Sequence, residues 1–150
     1  MTGCSAPARK AGSSGPSADD LRFLERFERC TLPESEWTHL AHVRIAWTCL
    51  ELEAPDAALQ RIRRGILRYN TEVLGRPHKY HETVTEAFAR LVAARRKTGE
   101  RFGDFARRID DILDPDRPKL LEYYSPERLH SYAARDGFVE PDRKPLPPLG

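Results

Sequence analysis

The sequence has no long apolar run, and no segment approaches the ~18 consecutive apolar residues that a membrane-spanning helix requires. Its first residues also lack the apolar stretch of a secretory signal. The formal net charge is only +2, so no strong electrostatic field favours nucleic acid as a partner. We therefore expect a cytoplasmic protein that binds neither membranes nor nucleic acid.

Cysteine is scarce, and the three cysteines of the chain are Cys4, Cys30 and Cys49. Their number is odd and no two have CxxC spacing, so the sequence predicts no disulfide framework and agrees with a reducing compartment. Cys49 falls on an apolar stripe, where we expect a buried structural residue rather than a nucleophile.

Signals for β-structure are also missing, because apolar and polar residues do not alternate over any sustained stretch and no Asn-Gly turn occurs. Apolar residues instead recur at three- and four-residue steps, which is the spacing of amphipathic helices. The predicted fold is all-α: a compact bundle of about four main helices, then short C-terminal helices and an extended C-terminal arm. The main helices are predicted at residues 18–30, 38–53, 55–70 and 81–97.

The chain divides into three regions by composition. Residues 1–17 are small, polar and interrupted by Pro and Gly, so they bury too little surface to offset their ordering entropy and are expected to be disordered. Residues 18–138 are expected to form a single helical domain, because a chain of 150 residues supplies one core. Residues 139–150 are rich in proline and predict a tail or an arm across the surface.

Histidines cluster at the starts of two predicted helices. His39 and His42 lie three residues apart, so they share one face of a helix. His81 opens another helix, with a carboxylate beside it at Glu82. Three imidazoles that meet between packed helices commonly hold a divalent metal with open coordination positions. The sequence therefore predicts a metal site formed by His39, His42 and His81, with zinc, iron or nickel as the cofactor.

The surroundings of this cluster predict a metal-dependent enzyme that acts on a small molecule by hydrolytic or oxidative chemistry. Glu82 is the expected general base, or the carboxylate that would complete an iron site of the facial-triad type. Tyr124 is a second candidate catalytic residue, because one of two adjacent tyrosines can pack while the other presents its hydroxyl. The candidate substrate contacts are Arg44, Tyr80 and Arg135.

Two other interpretations of the same residues stay open. A His/Glu pair in an apolar pocket can transfer protons without a metal near neutral pH, which would suit an isomerase or lyase with an anionic substrate. A helical module that binds a metal, a small ligand or a partner protein without catalysis would also use such a pocket. An open, concave site favours an enzyme, whereas a closed site with four protein ligands favours a structural metal.

Several stretches carry distinctive motifs, among them THLAH at residues 38–42, YHETVT at 80–85 and LLEYYSPE at 120–127. They resemble a family of small, uncharacterised bacterial helical proteins. The resemblance implies one globular domain whose C-terminal segment belongs to the fold, but it implies no activity. A looser likeness, at the level of the fold, links the chain to helical bundles of the DinB type, which gather three histidines between helices. The similar stretches are residues 30–33, 36–47 (including THLAH), 80–85 (YHETVT), 120–127 (LLEYYSPE) and 134–142 (ARDGFVEPD).

Overall fold

A computed structural model describes residues 14–150, so residues 1–13 of the predicted amino-terminal tail lie outside the described residues. The described residues fold into helices joined by turns and loops and contain no strand, which confirms the all-α prediction. The four main helices are α1 (Ala18–Glu28), α2 (His39–Leu52), α3 (Pro55–Glu72) and α4 (Glu82–Arg95). The shorter ones are α5 (Phe102–Arg107), α6 (Asp110–Leu113), α7 (Pro126–Leu129) and α8 (Tyr132–Asp136), with 3₁₀ turns at Glu34–Glu36, Pro77–Lys79 and Lys119–Glu122.

The helix starts follow local signals that are visible in the sequence. Ser17 and Asp20 form a capping box at α1, in which each side chain accepts from the other residue's backbone N–H. Thr38 caps α2 by accepting from the Ala41 N–H at 3.1 Å. Pro55 occupies the first position of α3, where its missing N–H is not needed. The main helices therefore begin within a residue or so of their predicted starts.

Helix α2 is the centre of the bundle and packs against α1, α3 and α4. Trp47 and Cys49 on this helix are completely buried, which agrees with its nearly continuous apolar sequence. The close approach of α1 to α3 depends on Gly65, because a side chain there would overlap the ring of Phe27. The core thus surrounds one apolar helix.

The segment after α4 forms two short helices, α5 and α6, although its apolar residues Phe105, Ile109 and Ile112 have the spacing of one helix. The chain changes direction at Arg108 and Ile109, and the Ile109 side chain is completely buried. Arg108 donates to the Arg95 carbonyl at 2.8 Å and pairs with Glu100. The break between α5 and α6 directs the Ile109 side chain into the core. The spacing of apolar residues in this segment does not indicate a break.

The predicted C-terminal tail lies along the surface as an arm joined to the fold. Val139, Leu146 and Leu149 are partly buried against the core. Thr83 connects the arm to α4, because its hydroxyl donates to the Gly137 carbonyl at 3.0 Å and accepts from the Val139 N–H at 3.1 Å. No helix between residues 14 and 150 has the length and apolar character needed to cross a membrane.

Candidate functional site

A cavity of about 360 Å³ lies between α2, α3 and α4. Pockets that hold small molecules have volumes of about 300–1,000 Å³ and mostly apolar walls. The wall of this cavity is likewise largely apolar, and all three helices contribute to it. Its apolar side chains include Val43, Ala46, Ile62, Ile66, Phe88 and Val92.

The polar side chains of the wall gather at one end of the bundle. They come from the first turn of α2, the last turn of α3 and the segment that leads into α4. Among the described residues of the wall, none carries a carboxylate. The structure therefore brings the three predicted histidines to one cavity. The polar residues are His39, His42, Asn70, Lys79, Tyr80 and His81, with Thr85 one turn further along α4.

His42 is held as a neutral imidazole with one free nitrogen. Its Nδ1 donates to the Thr38 carbonyl at 2.7 Å, and its ring stacks on Trp37 with the centroids 3.7 Å apart. Burial lowers the pKa of His42 below its usual value and keeps the ring uncharged near neutral pH. Its Nε2 then carries a lone pair and has no hydrogen-bond partner among residues 14–150. Such a lone pair can accept a proton or a hydrogen bond, or bind a metal.

His39 is exposed and uses one ring nitrogen on the protein. Its Nε2 donates to the Ile112 carbonyl at 3.1 Å. The ring meets Phe88 edge-on, with the centroids 5.2 Å apart. Because Nε2 carries the proton in this arrangement, Nδ1 keeps a lone pair for a ligand.

His81 is the N-cap of α4, and both of its ring nitrogens are engaged with the protein. Its Nδ1 accepts from the Val84 N–H at 3.2 Å, while its Nε2 donates to the Leu129 carbonyl at 2.8 Å. Burial lowers the pKa of His81, with a smaller contribution from the positive charge of Arg135. The neutral imidazole that results has no lone pair left for a metal.

The predicted three-histidine ligand set is therefore not assembled. His39 and His42 each keep one lone pair, but His81 would have to break its cap on α4 to coordinate an ion. Within the described part of the chain, no group of three or more His, Cys, Asp or Glu side chains is placed to hold a metal ion. The metal cofactor and its identity stay predictions.

Glu82, the predicted general base, does not line the pocket. Its Oε2 accepts from the Arg63 Nε at 2.6 Å, and its Oε1 accepts from the Tyr80 hydroxyl at 2.6 Å. Tyr80 does belong to the wall, and burial together with the neighbouring Glu82 carboxylate raises its pKa. The carboxylate is thus a structural partner that holds Tyr80 and joins α3 to α4. No His/Glu pair is formed among the described residues of the wall.

The two predicted substrate-binding arginines also lie outside the wall. Arg44 pairs with the buried carboxylate of Asp20 at 2.8 Å and lies over the Phe23 ring, 4.6 Å from its centroid. Arg135 donates to the His78 carbonyl at 3.1 Å. Both guanidinium groups therefore have partners within the protein, and the roles assigned to them from the sequence are not supported by their positions.

Tyr124, the second candidate catalytic residue, is completely buried. Its hydroxyl donates to the Val139 carbonyl at 2.7 Å and so fastens the C-terminal arm. Burial raises the pKa of Tyr124 to about 12. It is absent from the wall of the pocket, and its contacts indicate a structural residue.

Two polar wall residues, Asn70 and Lys79, were not predicted from the sequence. Asn70 is only 6% exposed, and its side-chain amide hydrogen-bonds no other described residue. It follows Ile62 and Ile66 at four-residue steps, so a polar residue on an apolar stripe was the available signal. Lys79 lies in the 3₁₀ turn before α4 and forms no ion pair within residues 14–150. Nothing in its local sequence distinguishes it from other surface lysines.

Comparisons with protein-family models, with curated proteins and with solved structures give no match for this chain. The resemblance to small bacterial helical proteins therefore rests on the sequence motifs alone.

Proposed function

We propose that this chain binds a small amphipathic molecule in the pocket between α2, α3 and α4. One observation carries the proposal: an apolar cavity of about 360 Å³ whose polar wall residues gather at a single end. Small-molecule sites typically combine an apolar wall with a few polar groups that orient the ligand. We infer the same arrangement here, in which the apolar wall contacts the apolar part of the ligand between the helices and the polar residues orient its polar part.

His42 is the polar residue best suited to act on such a ligand. The Thr38 carbonyl fixes its tautomer, and the Nε2 lone pair has no partner among the described residues. A neutral imidazole of this kind can take a proton from a bound molecule near neutral pH. An acid–base enzyme such as an isomerase or lyase would therefore use His42, without the help of Glu82.

Binding is tested with 1-octanol, a neutral amphipathic probe, in ¹H–¹⁵N NMR titrations of the full chain. We expect saturable shifts confined to amides of α2, α3, α4 and the Pro77–Lys79 turn. Ala46→Leu fills the cavity from α2 and should abolish these shifts, because Ala46 belongs to the wall. Ala57→Leu makes the same change at an exposed position of α3 and should leave them intact.

Unchanged binding by the Ala46→Leu variant would place the probe elsewhere and overturn the proposal. The absence of any saturable shift in the unaltered chain would overturn it as well. Thermal unfolding of both variants checks that each is folded before the comparison is made.

The predicted metal-dependent enzyme is the second candidate, and it is favoured by the presence of all three histidines in one cavity. His39 and His42 would supply one nitrogen each, and water or substrate would complete the coordination. Metal content is measured by mass spectrometry on protein purified without chelators, beside a His39→Ala/His42→Ala control. Stoichiometric metal that is lost in the control would establish this candidate. Its absence after reconstitution with zinc, iron and nickel would eliminate it.

A cytoplasmic location and the absence of nucleic-acid and membrane partners remain predictions from composition. The small-molecule partner remains a prediction from the histidine cluster. They agree with the proposed binding site, which needs only a freely diffusing ligand. The oligomeric state plays no part in the proposal, because the cavity lies within one chain.

A further inference from the structure

The two ends of the pocket differ in polarity, and the helix directions explain why. The polar end contains the first turn of α2, the last turn of α3 and the residues just before α4. Away from this end the wall is made by Ala46 of α2, Ile62 of α3 and Val92 of α4. A bound molecule is thereby presented with polar groups at one end and hydrocarbon at the other.

The polar end carries an excess of positive charge. Lys79 belongs to the wall, and its ammonium group forms no ion pair with any residue in the described range. The nearest carboxylate in sequence, Glu82, is engaged by Arg63 and lies outside the wall. A negatively charged group placed here would gain an attractive interaction without competing with a protein carboxylate.

Asn70 supplies the second, independent observation. The residue is buried, with an exposure of 6%, and its side-chain amide forms no hydrogen bond with another residue among 14–150. Because Asn70 also lines the cavity, a ligand acceptor is the partner that would satisfy its N–H groups.

The dimensions of the cavity limit the size of the ligand. A volume of about 360 Å³ lies near the lower end of the range of about 300–1,000 Å³ for pockets that hold small molecules, so it favours a small ligand. From Ile62 to Asn70 the wall extends eight residues along α3, or about 12 Å at ~1.5 Å per residue. A short hydrocarbon chain or a single ring with one polar head fits these limits.

From these observations, and resting on the proposed function, we propose that the ligand is a monocarboxylate with a short apolar body, no longer than the wall of about 12 Å along α3. Its carboxylate accepts from the Asn70 amide and lies within the field of Lys79. Its apolar body lies between α2, α3 and α4. A second carboxylate would have to enter the apolar end, where burial of an unpaired charge is strongly unfavourable.

The test compares octanoate, 1-octanol and octylamine, which share one hydrocarbon chain and differ in head group. In NMR titrations at pH 7.5 we expect octanoate to bind about tenfold more tightly than 1-octanol, and octylamine to bind more weakly than either. Lys79→Met should weaken octanoate binding about tenfold and leave 1-octanol binding unchanged. Asn70→Ala should also reduce the preference for octanoate.

Lys97→Met is the matched control. Lys97 is likewise exposed and without an ion pair among the described residues, but it follows the opposite end of α4, about 20 Å away by the helix rise. It should leave the affinities for all three probes unchanged. An equal loss of octanoate affinity in the Lys79→Met and Lys97→Met variants would mean that the effect is general electrostatics and would overturn the assignment.

The outcomes separate this inference from the proposed function. If 1-octanol and octanoate bind equally and Lys79→Met has no effect, the carboxylate specificity is overturned while the pocket still binds a ligand. If octanoate is preferred but neither Lys79→Met nor Asn70→Ala reduces the preference, the placement of the carboxylate is overturned. If no probe binds, both proposals fail.

Discussion

Replacement of His81 tests whether this residue is a structural cap, as its contacts indicate, or a metal ligand. In His81→Ala, α4 loses the acceptor for the Val84 N–H, and the Leu129 carbonyl loses its donor. Loss of an N-cap destabilises by ~1 kcal/mol, and loss of a hydrogen bond by about the same amount. We therefore expect the free energy of unfolding to fall by about 2 kcal/mol in urea titrations at pH 7.5.

His81→Asn is the matched variant, because an asparagine oxygen can accept from the Val84 N–H at the N-cap position. It should recover about half of the loss, since the hydrogen bond to the Leu129 carbonyl is still missing. A His81→Ala chain as stable as the unaltered one would refute the capping role. A metal-induced gain in stability that disappears in both variants would instead indicate coordination by His81.

The lowered pKa of His81 predicts how the stability of the protein depends on pH. Burial holds the pKa of His81 below its unfolded value of about 6.5, so the unfolded chain binds more protons between the two pKa values. The neutral His81 therefore makes its full contribution to the free energy of unfolding above about pH 6.5. This contribution is lost as the pH decreases through the pKa of His81 in the folded state. His42 contributes in the same direction, so His81→Asn should reduce this acid-induced loss without removing it.

Two further substitutions test the packing of α1 against α3 and the backbone conformation just after α1. Gly65→Ala should destabilise the protein by about 1–2 kcal/mol in urea unfolding, because overlap with the Phe27 ring outweighs the gain of ~1 kcal/mol in helix propensity. Cys30 has a φ of +60° just after α1, a conformation that is unfavourable for residues with a side chain. Cys30→Gly should therefore stabilise by about 1 kcal/mol in the same assay.

A change in the free energy of unfolding opposite to the expected one would contradict the corresponding argument. A stabilising Gly65→Ala would mean that the Phe27 ring moves aside without loss of packing. A destabilising Cys30→Gly would mean that contacts of the cysteine side chain outweigh the relief of backbone strain. Gly99 also has a positive φ, at 79°, and Gly99→Ala provides a reference for the cost of a side chain in that region.

The helices and their starts could be read from the sequence because the signals are local. The capping box at Ser17, the cap at Thr38 and the proline at position 55 all act within a few residues of the helix they begin. The gathering of His39, His42 and His81 at one cavity was also predictable, since their helices are apolar on the adjoining faces. Periodicity thus determined the all-α fold and the general location of the pocket.

Hydrogen-bond partners were decided by the tertiary structure, because they come from distant parts of the chain. Glu82 is paired with Arg63, nineteen residues away, and His81 donates to a carbonyl 48 residues away. Tyr124 is fastened to the arm at Val139. The side chains predicted as a base, a ligand and a catalytic tyrosine thus use these polar atoms in contacts within the protein.

The sequence by itself therefore determined which elements form and which faces are apolar, since both follow from periodicity and capping along a few turns. Only the tertiary structure decided which polar groups keep a free hydrogen-bonding atom. That question depends on every neighbour a side chain meets after packing, and it left His42, Asn70 and Lys79 available at the polar end of the pocket.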